Sequence, residues 1–179
     1  MLYFITGNAG KFREVSAILP HIQQLELKLD EIQSLDSRAV IEHKLAQAVA
    51  QHDGEFIVED SSIELACLNG LPGPFIKWFL EALGTEGIAK LVHNYDDHSA
   101  IGRITIGYRG QAGDIQYFTG EHRGQIVPPR GSNGFGFDPI FMADGQTHTN
   151  AELTLEAKNA FSGRGIAARK LASYLGKQR

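Results

Sequence analysis

Two adjacent carboxylates, Glu59 and Asp60, follow three apolar residues in the stretch Phe56-Ile57-Val58-Glu59-Asp60-Ser61-Ser62. The short, partly β-branched run predicts a buried strand with the acids at its carboxyl end. In open α/β sheets the ligand crevice lies outside those ends. Neighbouring carboxylates there are costly unless a proton or a cation joins them. A hard cation such as Mg²⁺, bound by oxygens and shared with a phosphate, meets that need. The plainer alternative is a strand end whose acids reach water. A second stretch, Thr6-Gly7-Asn8-Ala9-Gly10-Lys11, joins the apolar run Leu2–Ile5 to Phe12, Val15, Ile18 and Leu19 at helical spacing, with Pro20 as the stop. Free N–H groups at such a helix start make an anion site. Asn8 is placed to cap it. Lys11 near the positive end of the dipole is unfavourable unless an anion offsets it. The segment is not a Walker A loop: the glycines are too close, and Phe12 stands where Ser or Thr binds Mg²⁺.

Other cations are less committed. Lys44 borders the apolar stripe Val40, Ile41, Leu45, Ala48, Val49, so it either snorkels to water or points into a charged cleft. Lys77 shares a helical face with Glu81 at i, i+4, the pattern of a surface pair. Pro128 to Phe141 reads PPRGSNGFGFDPIF. Its glycines allow close backbone approach, and Phe135 and Phe137 offer rings on which a base can stack. Asp138 before Pro139 favours a fixed turn. Lys158 and Arg164 add positive charge near the last helix, where a solvated helix end is the alternative.

The elements that must position these groups follow from periodicity. Strands are predicted at Leu2–Ile5, Leu25–Leu29 and Phe56–Val58, with helices near 9–19 and 38–52. Leu71-Pro72-Gly73-Pro74 is a rigid turn, with Pro74 opening a helix through Phe79 and Leu83 and Thr85 capping a short one after it. Residues 99–108 and 115–122 alternate as an antiparallel hairpin around a two-glycine connection, and a helix through Leu171 and Leu175 closes the chain. The 179 residues fit one domain, 1–179, large enough to bury roughly 70% of its unfolded surface. The net charge of −4 gives no push toward a nucleic acid polymer or an anionic membrane. One cysteine, Cys67, excludes an internal disulfide, and the seven histidines are too scattered for a zinc site. No apolar run approaches the ~20 residues of a spanning helix, so a cytoplasmic protein is the expectation.

Five stretches in order, Thr6 to Lys11, Val58-Glu59-Asp60-Ser61, Leu71-Pro72-Gly73-Pro74-Phe75-Ile76-Lys77-Trp78-Phe79, Gly134-Phe135-Gly136-Phe137-Asp138-Pro139, and Lys158-Asn159 through Ser162 to Arg164, together resemble the inosine triphosphate pyrophosphatase family, the Ham1-like nucleoside triphosphate pyrophosphatases. The resemblance covers nearly the whole chain. It implies an elongated mixed β-sheet flanked by helices, with two lobes and a central cleft, in a homodimer. It implies Mg²⁺-dependent hydrolysis of ITP, dITP and XTP to the monophosphate and pyrophosphate, which cleans the nucleotide pool.

By the same resemblance Thr6, Gly7, Asn8, Lys11, Lys44, Ser61 and Lys77 belong to substrate binding, and Phe135, Gly136, Phe137 and Asp138 match the base pocket. Lys158, Ser162 and Arg164 match the C-terminal recognition segment. Asp60 matches the essential acid, as general base and metal ligand. Glu31 is the second metal ligand, with Asp36 as its alternative because the loop is one residue longer here, and Glu59 is a third candidate. One departure stands out: the family reads Ser-His-Arg, with the histidine associated with the base, where this chain has Ser162-Gly163-Arg164. The rival readings are a Maf-like pyrophosphatase acting on other modified nucleotides, a nucleotide-binding module without turnover, and a kinase-like phosphate binder.

Overall fold

The computed structural model describes residues 1–177. Seven strands form one mixed sheet in the order β2 (Gln23–Leu25), β1 (Leu2–Ile5), β3 (Glu55–Leu65), β5 (Ser99–Arg109), β6 (Ile115–Ile126), β7 (Phe141–Ala143), with β4 (Pro72–Gly73) also paired to β3. The pairs β1–β2 and β1–β3 are parallel and the remainder antiparallel. The helices are α1 (Ala9–Ser16), α2 (Ser37–Gln51), α3 (Ile76–Val92), α4 (Leu155–Phe161) and α5 (Gly163–Lys177). No helix among the described residues is long and apolar enough to cross a membrane.

Alternation along β3 decides what lies on each side of the sheet. Phe56 and Val58 face α2 and pack with Ile41, Leu45 and Ala48. Ile57 faces the other way, into a cluster with Phe4 and Val15 and with Ala167, Ala168 and Leu171 of α5. Ile63 and Leu65, further along that second face, join Ile76, Ile88 and Val92 of α3 and Phe141 of β7. The first two clusters make one lobe and the third makes the other, with the long strands β3, β5 and β6 running through both.

Several expectations change in detail. The strand predicted at Phe56–Val58 runs on for eleven residues, so Glu59 and Asp60 lie in its middle and not at its end. Antiparallel pairing with β5 extends it, Asp60 opposite Thr105, and this long-range partner is invisible to local periodicity. The chain's second strand covers Gln23–Leu25 rather than Leu25–Leu29. Leu27 and Leu29 still pack beside the α2 cluster, which explains their apolar alternation without a strand. The first helix stops at Ser16, short of Pro20. Pro74 lies two residues before α3 rather than at its first position, and α3 includes the segment after Thr85, across a kink at Gly84 with φ 66°.

The opening that matters here is on one edge of β3. Its register with β1 covers Glu55 to Ile57, and its register with β4 begins only at Ile63. Between them, residues 58–62 have no strand on that edge. A gap in the ladder there leaves room beside the two acids, just beyond the carboxyl end of β1.

Candidate active site

A cavity of about 580 Å³ occupies that gap and runs between the lobes, within the size range of small-molecule sites. Every site residue expected from the sequence lines it: Thr6, Gly7, Asn8 and Lys11 from the β1–α1 loop and first turn; Glu31 and Lys44; Glu59, Asp60 and Ser61 from β3; Lys77 from α3; Phe135, Gly136, Phe137 and Asp138; and Lys158, Ser162 and Arg164. Asp36 does not line it. Its carboxylate accepts from Arg38 N–H at 2.9 Å as the N-cap of α2, which leaves Glu31 as the acid facing Asp60.

The β1–α1 loop forms as its residues dictate. Asn8 caps α1, its side-chain oxygen accepting from Lys11 N–H at 3.0 Å, and the Thr6 hydroxyl accepts from Asn8 N–H at 3.1 Å. Gly10 is required for a different reason: a Cβ there would run into the ring of Phe135. The loop from β6 to β7 is thereby laid against the first turn of α1. Gly134 and Gly136 take φ of 91° and 62°, a region glycine enters without strain. That turn brings Phe135 N–H to the Asp138 carboxylate at 2.8 Å.

Glu59 and Asp60 part company because successive side chains of a strand point to opposite faces. Glu59 points towards α5. Arg164 grips it with two bonds, Nε to Oε2 at 2.7 Å and Nη2 to Oε1 at 2.9 Å, while Lys11 Nζ lies 3.1 Å from Oε1 and the Ser61 hydroxyl donates to the same oxygen at 2.8 Å. Burial pushes this carboxyl up, but Arg164 and Lys11 outweigh it and hold it far below the usual glutamate range. Both Glu59 oxygens are spent on cations, on the other face of the strand from Asp60. Lys11 finds here the anion that its place on the helix dipole demanded.

The chain of charges continues. Arg164 Nη1 donates to Glu14 Oε2 at 2.5 Å, Lys158 Nζ donates to Glu14 Oε1 at 2.8 Å, and the same Nζ reaches Asp138 Oδ2 at 2.5 Å. Lys11, Glu59, Arg164, Glu14, Lys158 and Asp138 thus alternate in sign from α1 to the base of the Phe135 loop. Glu14, only 2% exposed, is the residue that sequence reading missed. Its signal was an acid set directly before Val15 in an apolar stripe. Lys158 and Arg164 each place their charge 5.1 Å from the centre of the Phe135 ring.

Asp60 has the opposite surroundings. It is 5% exposed, and its Oδ2 is buried without a hydrogen-bond partner among the described residues. Burial pushes its carboxyl above the usual aspartate value; Ser37, Lys44 and Lys11 pull it down, and Glu31 pushes it up again. Lys44 is carried there by Ile41 and Leu45, which fasten α2 to the sheet over Gly107. Its ammonium sits 3.1 Å from Glu31. Lys77 lies 5.1 Å over the Trp78 ring, a different neighbour from the Glu81 expected. Among the described residues no group of three or more acids, histidines or cysteines is arranged to hold a metal ion. Glu31 and Asp60 both line the cavity, near enough for the Glu31 charge to act on Asp60.

A model of the Ham1 family matches residues 2–174. The chain is 40% identical over 178 residues to the inosine triphosphate pyrophosphatase of Schizosaccharomyces pombe, covering 97% of this chain and 94% of that one. It is 42% identical over 165 residues to the protein of the same name from Batrachochytrium dendrobatidis, covering 90% and 86%. Among solved structures, the Ham1 protein of Staphylococcus aureus superposes with a TM-score of 0.77 at 25% identity over 99% of each chain. A HAM1 protein from Coxiella burnetii gives 0.79 at 25% identity over 98% of each.

Proposed function

This chain belongs to the Ham1 family and is a hydrolase acting on phosphoric anhydrides, and on that premise we propose that it converts ITP, dITP and XTP to the monophosphate and pyrophosphate. The relatives named inosine triphosphate pyrophosphatase support the substrate. The observation that carries the reading is the buried Asp60 oxygen without a partner among the described residues, in the gap of the sheet, within reach of the charges of Lys44 and Lys11. A buried carboxylate left unsatisfied is costly, and such cost is retained where chemistry uses it.

The triphosphate carries about four negative charges and lies where the N–H groups of the α1 start, Lys11 and Lys44 meet. Lys77 and Ser61 face the same space. Mg²⁺ fits as the cofactor because Asp60 has an unsatisfied buried oxygen and the Glu31 charge acts on it; these two carboxylates would hold the ion, which would supply charge neutralisation for the phosphoryl oxygens. Asp60 orients a water molecule and takes its proton as the oxygen attacks the α-phosphorus in line. The bond to the β-phosphate oxygen breaks, and Lys11 with its loop receives the charge that develops on pyrophosphate. Phe135 and Phe137 supply aromatic surface for the base, and Asp138, Lys158, Ser162 and Arg164 form the frame of its pocket. We take the working unit to be a cytoplasmic homodimer of single-domain chains. The family supports the dimer, and the sheet shared by both lobes supports the single domain.

The test is pyrophosphate release with Mg²⁺ from ITP, XTP, GTP, ATP and dTTP, run beside Asp60→Asn. Release mainly from ITP and XTP, abolished in the variant, is the expected result. Release mainly from dTTP would move the protein to the pyrimidine class. Inorganic phosphate as the product, in place of pyrophosphate, would overturn the assigned bond.

A further inference from the structure

His122 is a histidine that none of the roles above uses. It lies on β6, on the face of the sheet shared with Glu59, and it lines the cavity beside Asp138 and Asn150. Its ring packs on Phe141, with centroids 4.6 Å apart, and over Gly102, where any Cβ would strike it. Gly163 N–H, the first donor of α5 and so without a partner in its own helix, donates to His122 Nδ1 at 3.0 Å.

That bond fixes the tautomer: Nδ1 holds the lone pair, and the neutral ring carries its proton on Nε2. Burial pushes the ring's pKa down to about 4, opposed by the Gly102 backbone and aided by Lys158 and Arg164, so the neutral form holds at pH 7. Nε2 looks toward the Asn150 amide nitrogen at 3.4 Å, which is a donor facing a donor. That same amide nitrogen is 3.4 Å from Asp138 Oδ1, while Asn150 Oδ1 is buried without a partner among the described residues. With Nδ1 accepting from Gly163, neither His122 Nε2–H nor Asn150 Oδ1 on the cavity wall has a matched hydrogen-bond partner among the described residues.

We propose that His122 and Asn150 read the Watson–Crick edge of a 6-oxopurine, His122 Nε2–H donating to the 6-oxo group and Asn150 Oδ1 accepting from N1–H. This rests on the nucleotide reading above and names its specificity determinants. A lactam edge presents an acceptor next to a donor, the complement of this pair. Adenine presents the reverse, an amino group and a bare N1, and leaves both protein groups unpaired. Guanine shares the lactam edge with hypoxanthine, so this pair does not reject it. Arg164 is less suited to the task, since Glu59 and Glu14 occupy its guanidinium.

The departure at Gly163 now has a physical reason. A Cβ there would stand 2.8 Å from the carbonyl oxygen of Gly120 and 3.3 Å from that of Gly102. The start of α5 lies too close to β5 and β6 for a side chain at that position. The imidazole comes from β6 instead, held by the backbone N–H of the glycine.

The experiment compares kcat/KM for ITP and ATP in wild type, His122→Phe and His122→Gln. In parallel, calorimetry compares binding of inosine monophosphate and adenosine monophosphate. His122→Phe keeps a packed ring without the donor, and is expected to lower the ITP to ATP ratio about 10- to 100-fold. His122→Gln, which keeps a donor, should recover part of it. Asn150→Ala removes the acceptor without touching Gly163, and is expected to change the ratio in the same direction should the Phe variant not fold. An equal loss for both nucleotides, or an unchanged ratio, would reduce His122 to a packing residue and overturn the proposal. Wild-type protein that leaves ITP intact would overturn the reading beneath it, and the monophosphate comparison then judges His122 alone by the same ratio.

Discussion

The two ends of the cleft are built from the same residue types and treat them in opposite ways. At the end framed by α5 and the Phe135 loop, three cations and three carboxylates alternate, each within hydrogen-bonding distance of the next. At the end beside β1, Asp60 is nearly as buried as Glu59, yet one of its oxygens touches no donor among the described residues. A buried charge ladder whose inner members are each held from two sides is rigid. Leaving one carboxylate open stores an unfavourable interaction that only a cation or a proton relieves. The contrast sets a ladder of mutually paired charges against one unsatisfied carboxylate, and it is open to attack from either end.

The largest effect is expected at the open end. Asp60→Asn should lower kcat about 10³-fold, roughly 4 kcal/mol of transition-state stabilisation, while the midpoint of urea unfolding stays level or rises, since a buried unpaired charge is removed. A variant with near-normal turnover would move the base elsewhere. Glu14→Gln attacks the closed end. It leaves Lys158 and Arg164 short of an anion and should cost about 3 kcal/mol of stability, read by denaturant unfolding; a loss under 1 kcal/mol would mean the network adds little beyond packing.

His122 offers a pH test. Its folded pKa lies below the ordinary value of 6.5, at about 4. The unfolded chain therefore takes up the proton first, and the stability it contributes is present above pH 6.5 and lost as pH falls toward 4. The loss over that interval should reach roughly 2.5 kcal/mol. His122→Gln should flatten that part of the curve; a slope unchanged by the substitution would assign it to other groups. The smallest effect belongs to Lys44→Ala, which should raise KM for the triphosphate about tenfold, close to 1.4 kcal/mol, with the melting temperature little changed. An unaltered KM would leave Lys44 as a partner of Glu31 only.

Local pattern carried much of this. The apolar run and glycines around Thr6 to Lys11 predict a strand and an Asn-capped helix, and the loop has that shape, because capping and periodicity act over a few residues. The hairpin of β5 and β6, α2 and α5 follow in the same way. The cavity lining, too, was named from residue types and their resemblance, down to Lys77 and Ser162. Local pattern failed for β3, whose length is set by a partner strand, and for Leu27 and Leu29, whose alternation packs a loop.

What the sequence determined, then, was the inventory: an acidic pair beside an apolar strand run, lysines at a helix start and on a helix flank, a glycine-rich aromatic turn. What only the tertiary structure decided was which members of that inventory cancel one another. Glu59 and Asp60 are neighbours in the chain, but Arg164, 105 residues away, neutralises one and not the other. Gly163 and His122, 41 residues apart, become one unit through a single N–H. Charges and donors are satisfied by proximity in space, and the pairing of distant strands and helices sets that proximity.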